Sequence, residues 1–225
     1  MKILLVNDDS LSSKNLEIAY NGLIALGDVV TIAPLWEKSA FGMATETNKF
    51  RWAVFEKNVY GVDGSPVDCV NFGLFSEIIN EKFDLVVSGV NRGFNIGSDI
   101  RYSGTVSAAL HAHYMGFKAI AFSADPSNDA AVERYFESTV KYIIENKLHE
   151  EDYVLSVNFP KEGVEEEAKI VFTEPFYMKS EIKLENNKSI TSVSRRIIEE
   201  EAPEGTDWYA VNNNQISFTK LQFRV

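Results

Sequence analysis

Apolar residues along this chain fall in short unbroken runs, separated by stretches in which they recur at helical spacing. Residues 3–6 and 85–87 are continuously apolar, the pattern of parallel strands covered on both faces, and 29–33 predicts the second strand. Between 14 and 26, Leu16, Ala19, Leu23 and Leu26 share one helical face, and Gly27 predicts the end of that helix. Residues 51–56 and 59–62 predict short strands joined by a turn at Lys57-Asn58. Asp63-Gly64-Ser65-Pro66 predicts a turn with Ser65 as N-cap and Pro66 opening a helix that runs to about Asn80. A helix over 128–146 buries Val132, Tyr135, Phe136, Val140, Ile143 and Ile144, and 153–159 is a further strand. The alternation predicts an α/β fold with a mostly parallel sheet over 1–160. From Lys161 onward the residues are charged and β-prone, with acidic runs at 165–167 and 199–201 and no helical period. Residues 161–225 are therefore expected to form an antiparallel, hairpin-bearing appendage that needs a partner surface.

Two long polar loops interrupt this pattern. After the strand 85–87, which is expected to end at Ser88-Gly89, the chain spends its next residues on Gly, Asn, Ser and Asp. Gly89, Gly93, Gly97 and Gly104 punctuate that stretch, and Ser103-Gly104-Thr105 opens a helix over 106–114. Glycines allow backbone N–H groups to approach a ligand closely, and N–H groups at a helix N-terminus attract anions, phosphate above all. The second loop, 34–48, carries Ser39, Gly42, Thr45 and Thr47. Loops of this length without structure of their own tend to be functional. Neither a Walker A nor a GxGxxG cradle is present.

Charge narrows the partners. The 225 residues carry a net charge of −11, so no electrostatic footprint for polymeric nucleic acid exists. A small anion would have to be held locally, by a cation or by converging N–H groups. Cys69, the single cysteine, falls in an apolar helical stretch and is expected in the core, with no disulfide. The opening MKILLVNDD has too short an apolar run for a signal peptide or a membrane span, which makes a cytoplasmic protein with no membrane partner the expectation.

Asn7-Asp8-Asp9-Ser10 follows the first strand, where open α/β sheets place their ligands. His111 and His113 are two apart on a helix and do not form an i, i+4 zinc pair, and His149 stands in a charged loop. No Ser-His or Cys-His pair is indicated. The residues left for chemistry are hard oxygen donors: Asp8, Asp9, Ser39, Asn91 and Asn95. Oxygen-only sites suit Mg²⁺, Mn²⁺ or Ca²⁺.

NDDS after the first strand, KSAFGMA after the second, YGVDGSPVDCV and SGVNRGFNIGSDIRYSGTVSAAL together resemble the SurE family of survival proteins, metal-dependent nucleotide phosphatases. SVNFP at 156–160 and TDWYAVNNNQISFTKL at 206–221 are similar to that family's later strands. The resemblance implies a Rossmann-like three-layer core with a β-rich C-terminal appendage. It implies one divalent metal cation per subunit, Mg²⁺ or Mn²⁺ with Ca²⁺ as a substitute, held by Asp8, Asp9, Ser39 and Asn91. It implies phosphate contacts from Asn95, Ser103, Gly104 and Thr105, with Asp8, Asp9, Asn91 and Asn95 as the catalytic set. The implied reaction is hydrolysis of nucleoside 5′- or 3′-monophosphates, in a homodimer or homotetramer built through an exchanged C-terminal arm.

The chain departs from the family pattern in three places. Ser10 stands where a glycine is usual, His111-Ala112 replaces an acidic-glycine pair, and 159–206 is shortened and diverged. Two rival readings are a receiver-like Mg²⁺-binding signalling module and an inactive nucleotide-binding protein. Against the receiver, Ser88 stands where its phosphoryl-accepting aspartate would be expected.

Overall fold

Strand β1 (Lys2–Val6) lies between its parallel neighbours β2 (Asp28–Pro34) and β5 (Leu85–Arg92). The computed structural model describes residues 1–127, 129–161, 167–187, 190–197 and 201–222. With β3 (Trp52–Glu56), β4 (Val59–Val62), β6 (Ala119–Ala124), β7 (Val154–Asn158), β8 (Lys169–Thr173) and β11 (Gln215–Leu221), these strands form a nine-stranded sheet in the order β3-β4-β2-β1-β5-β6-β7-β11-β8. The centre is parallel, and antiparallel pairing occurs only at β3–β4 and β11–β7.

Alternation along β1 separates two cores. Ile3 and Leu5 pack on one face with residues of α1 (Lys14–Leu23) and α4 (Asp129–Glu145), among them Leu16 and Phe136. Leu4 and Val6 pack on the other with α2 (Pro66–Phe75) and α3 (Gly104–Tyr114), among them Val70 and Val106. Both faces of the strand are covered, which is why its sequence is continuously apolar. The layers are helix, sheet, helix, as expected of a Rossmann-like core.

The chain leaves β1 for β2 on one side and later returns beside β1 as β5. The strand order therefore reverses between β1 and β5, and a crevice opens at their carboxyl ends.

Several expected boundaries shift. The first helix stops at Leu23, three residues early, and Gly27 is required because a Cβ there would lie 1.9 Å from the Met1 carbonyl oxygen. The helix from Pro66 stops at Phe75 rather than about Asn80: Ser76 is extended, and its hydroxyl accepts the Ile78 N–H instead. Strand β5 does not end at Ser88-Gly89. Its pairing with β6 shifts register after Ser88 and resumes at Asn91–Ser123, so it runs on to Arg92.

The appendage is less antiparallel than expected. Strands β8 and β11 pair in parallel and extend the main sheet. Between them β9 (Ser180–Asn187) and β10 (Ile190–Ile197) form a separate antiparallel hairpin. A helix, α5 (Asp207–Asn212), also lies in the segment where no helical period is visible, since six residues are too few to display one.

Candidate metal and phosphate site

Asp8 and Asp9 leave the carboxyl end of β1, and Ser10 turns the chain at φ +76. That is the left-handed conformation a glycine would adopt without strain, so serine makes the turn expected of glycine. Asn7 braces it by donating to the Ser10 carbonyl at 2.9 Å.

The loop after β2 is tied onto this turn, because the Lys38 N–H donates to the Asp8 carbonyl at 2.8 Å and so brings Ser39 beside it. Ala40 follows at φ +61, and the Gly42 N–H donates to the Tyr102 carbonyl at 2.9 Å, joining this loop to the one after β5. Asn91 arrives from β5 just past the register shift, a device that re-aims side chains next to binding sites. Asp8, Ser39, Asn91, Asn95 and Ser103 line one cavity of about 260 Å³. Asp9 lines an adjoining cavity of about 570 Å³, and Arg92 borders both.

Each candidate ligand spends one polar atom on structure. Asp8 Oδ1 accepts the Thr105 hydroxyl at 2.6 Å. Asp9 Oδ2 accepts the Arg92 N–H at 2.9 Å, Asn91 donates its amide nitrogen to the Gly93 carbonyl at 2.7 Å, and Ser39 donates its hydroxyl to Glu37 at 2.8 Å. Hydrogen bonding thus turns the oxygens of Asn91 and Ser39 into uncommitted acceptors. Such a set fits a hard divalent cation.

Electrostatics agree. Asp8 is 2 % exposed, and burial pushes its carboxyl up to about 7, with a further push from Asp9; the Thr105 hydroxyl pulls the other way. Burial likewise raises Asp9, with Glu37 adding to it and both the Arg92 N–H and the Arg92 charge opposing. Among the described residues no lysine, arginine or histidine forms a salt bridge with Asp8. Asp8 is thus a buried carboxyl with no ion-pair partner among the described residues, beside a partly buried Asp9 that feels the Arg92 charge; an unpaired buried charge is costly unless a cation or a proton neutralises it.

The phosphate-cradle residues are placed as follows. Ser103 caps α3, its hydroxyl accepting the Val106 N–H. Gly104 packs against Asp8: a Cβ there would lie 3.1 Å from Asp8 Cβ and Oδ2. Thr105 is engaged with Asp8, so part of the attraction of this helix terminus for anions is spent on a carboxylate of the chain itself. Asn95 is 4 % exposed and gives one amide hydrogen to Ser123 at 2.7 Å, leaving its second for a ligand.

Sequence reasoning missed the residues that hold this loop. Asn158, at the end of β7, accepts the Asn95 N–H at 2.9 Å, and Asp207 accepts the Gly97 N–H at 2.6 Å. Both lie in the later motifs, SVNFP and TDWYAV, yet nothing local marks either as facing the loop. His111 bonds Asn71 at 2.7 Å, and Cys69 is wholly buried with its thiol pushed well up. Ser88 is wholly buried, so no acceptor for a phosphoryl group faces solvent there.

The family description "Survival protein SurE" matches residues 3–181. The 5'-nucleotidase SurE of Geotalea uraniireducens (strain Rf4) is 35% identical over 226 residues, covering 99% of this chain and 86% of that protein. The protein of the same name from Geobacter metallireducens (strain ATCC 53774 / DSM 7210 / GS-15) is 36% identical over 230 residues, covering 98% of this chain and 91% of that one. The crystal structure of the SurE protein from Aquifex aeolicus superimposes with a TM-score of 0.82 at 33% identity, covering 100% of this chain and 94% of that one. With the family match over residues 3–181, relatives at 35–36% identity across nearly the whole chain and the shared fold, the chain belongs to the SurE family.

Proposed function

We propose that this protein is a divalent-metal-dependent phosphomonoesterase that hydrolyses nucleoside 5′- or 3′-monophosphates to nucleoside and phosphate. The observation that carries the reading is the state of Asp9, Ser39 and Asn91. Asp9 and Asn91 each have one polar atom bonded within the protein and an oxygen left over, and Ser39 donates its hydroxyl hydrogen and keeps the lone pairs of that oxygen, around a buried Asp8 that forms no salt bridge among the described residues. The relatives named 5'-nucleotidase SurE support the substrate class.

Asp8, Asp9, Ser39 and Asn91 would hold Mg²⁺ or Mn²⁺. When bound, such a cation offsets negative charge gathering on the phosphoryl oxygens and lowers the pKa of a nearby water. The second amide hydrogen of Asn95 and the α3 terminus at Ser103, Gly104 and Thr105 orient the phosphate. The water oxygen forms the new bond to phosphorus as its proton passes to one of the paired carboxylates, and the ester oxygen breaks from phosphorus and takes up a proton, from that carboxyl or from solvent, to leave as the nucleoside hydroxyl.

The test is metal-depleted protein assayed on a panel of phosphomonoesters, with each divalent ion added back. Turnover of nucleoside monophosphates restored by Mg²⁺ or Mn²⁺ is expected; full turnover in the depleted protein would remove the metal from the reading. The same proposal places the protein in the cytoplasm as a homodimer or homotetramer. Ile182 and Leu184 of the hairpin are 69% and 59% exposed, apolar surface that a second copy would cover. Light scattering that gave a folded monomer at micromolar concentration would remove the assembly.

A further inference from the structure

Asp207 is wholly buried at the start of α5 and takes part in no salt bridge among the described residues. Its carboxylate instead accepts three backbone N–H groups. Oδ2 takes Gly97 at 2.6 Å, and Oδ1 takes Phe176 at 2.9 Å and Trp208 at 2.8 Å. Three chain segments thus meet on one side chain: the loop after β5, the stretch between β8 and the hairpin, and α5 itself. The contact is close. Gly97 sits at φ +50, and a Cβ there would lie 2.2 Å from the Phe176 carbonyl oxygen and 3.3 Å from Trp208 Nε1. Burial raises the Asp207 carboxyl, and the three N–H groups pull it back.

Gly97 stands between Asn95 and Ser103, at the head of the 3₁₀ turn Gly97–Arg101. On its other side the loop is held by Asn158, which accepts the Asn95 N–H and donates to the Asn95 carbonyl. The loop is therefore anchored on β7 and on α5, in addition to the Asn95–Ser123 bond to β6 and the Gly42–Tyr102 bond to the loop after β2.

We propose that Asp207 is a positioning residue for the phosphate loop: through the Gly97 and Phe176 N–H groups it sets Asn95 and Ser103 and ties them to the segment that carries the hairpin. It touches no candidate metal ligand and acts only through the backbone it holds. The kinetic part of the test rests on the phosphatase reading, and the exchange part does not.

The substitution Asp207→Asn keeps the shape but turns an amide N–H group toward one of the backbone donors. The expected result is that KM for a nucleoside monophosphate rises about tenfold, the loss of roughly one buried hydrogen bond to a charged acceptor. The increase in melting temperature on adding Mn²⁺ is expected to stay close to that of the parent, because Asp8, Asp9 and Ser39 lie on other segments and Asn91 is held within β5, ahead of Gly97. Amide hydrogen exchange in 93–103 is expected to quicken while the β1 and β5 amides keep their protection. Unchanged KM and unchanged loop exchange, with only a lower melting temperature, would reduce Asp207 to a structural residue and overturn the proposal. If the variant does not fold, the parent decides: slow exchange at the Gly97 amide supports the anchor, and exchange at the rate of an open loop overturns it. A parent protein without phosphatase activity would sink the enzymatic reading, while the exchange results would still decide the anchor.

Discussion

The Thr105 hydroxyl donates to Asp8 Oδ1 at 2.6 Å, joining residues 97 positions apart, one at the carboxyl end of β1 and one in the first turn of α3. The bond fixes one oxygen of Asp8 and leaves the carboxylate only one way to face the cavity. A hydrogen bond to a charged acceptor contributes about 1.5–3 kcal/mol. Thr105→Val is therefore expected to lower kcat/KM by about ten- to a hundredfold, and Thr105→Ser to recover most of it. Steady-state kinetics with circular dichroism checks this; a fully active, folded Thr105→Val protein would show that Asp8 is oriented by something else.

Without metal, the raised carboxyl of Asp8 makes stability depend on pH. Its value is about 7 in the folded protein against 3.8 for the free group, so the folded state binds the extra proton between those limits. Stability from this group is then full below about pH 4 and lost as pH rises to about 7. The shift corresponds to something on the order of 4 kcal/mol. Metal-depleted protein is expected to melt progressively lower between pH 5 and 7, and Asp8→Asn to flatten that slope. Added Mn²⁺ should raise the melting temperature of the parent well above that of Asp8→Asn at pH 7.5. Equal metal responses in the two proteins would exclude Asp8 as a ligand.

Gly104 bears directly on the same carboxylate. A Cβ there would lie 3.0 Å from Pro66 Cγ as well as 3.1 Å from Asp8 Cβ and Oδ2, so a larger side chain has to displace Asp8. Gly104→Val is expected to raise KM and lower kcat while the protein stays folded, and Gly104→Ala to do so more mildly. Kinetics unchanged in both would place the phosphate elsewhere.

Ser10 carries a stability cost that glycine would remove. A left-handed non-glycine residue costs about 1–2 kcal/mol, against which stand the Ser10–Ser12 hydroxyl contact at 3.0 Å and the greater chain entropy of glycine. Ser10→Gly is expected to raise the melting temperature by about 1–3 °C. Calorimetry showing a lower value would mean that the hydroxyl contact outweighs the strain.

Much of this architecture can be read without coordinates. Ile3 to Val6 and Leu85 to Val87 are apolar without interruption because helices cover both faces of the sheet, and that requirement is written into each strand locally. Asp8 and Asp9 follow β1 directly, and Ser103 precedes the helix it caps, so their proximity to a strand end and a helix terminus is also local information. The tertiary structure alone decided which groups meet. Thr105 on Asp8, Asn158 on Asn95, and Asp207 on Gly97 at a separation of 110 residues depend on strand order and register across the whole sheet. The same holds for β8 and β11. Nothing in their residues specifies the neighbouring strand, and their parallel pairing is settled only when β11 pairs with β7 and leaves its other edge to β8. Hydrophobic periodicity records which face of an element is buried, whereas a hydrogen bond between distant segments is specified only by the packed arrangement of the elements that carry them.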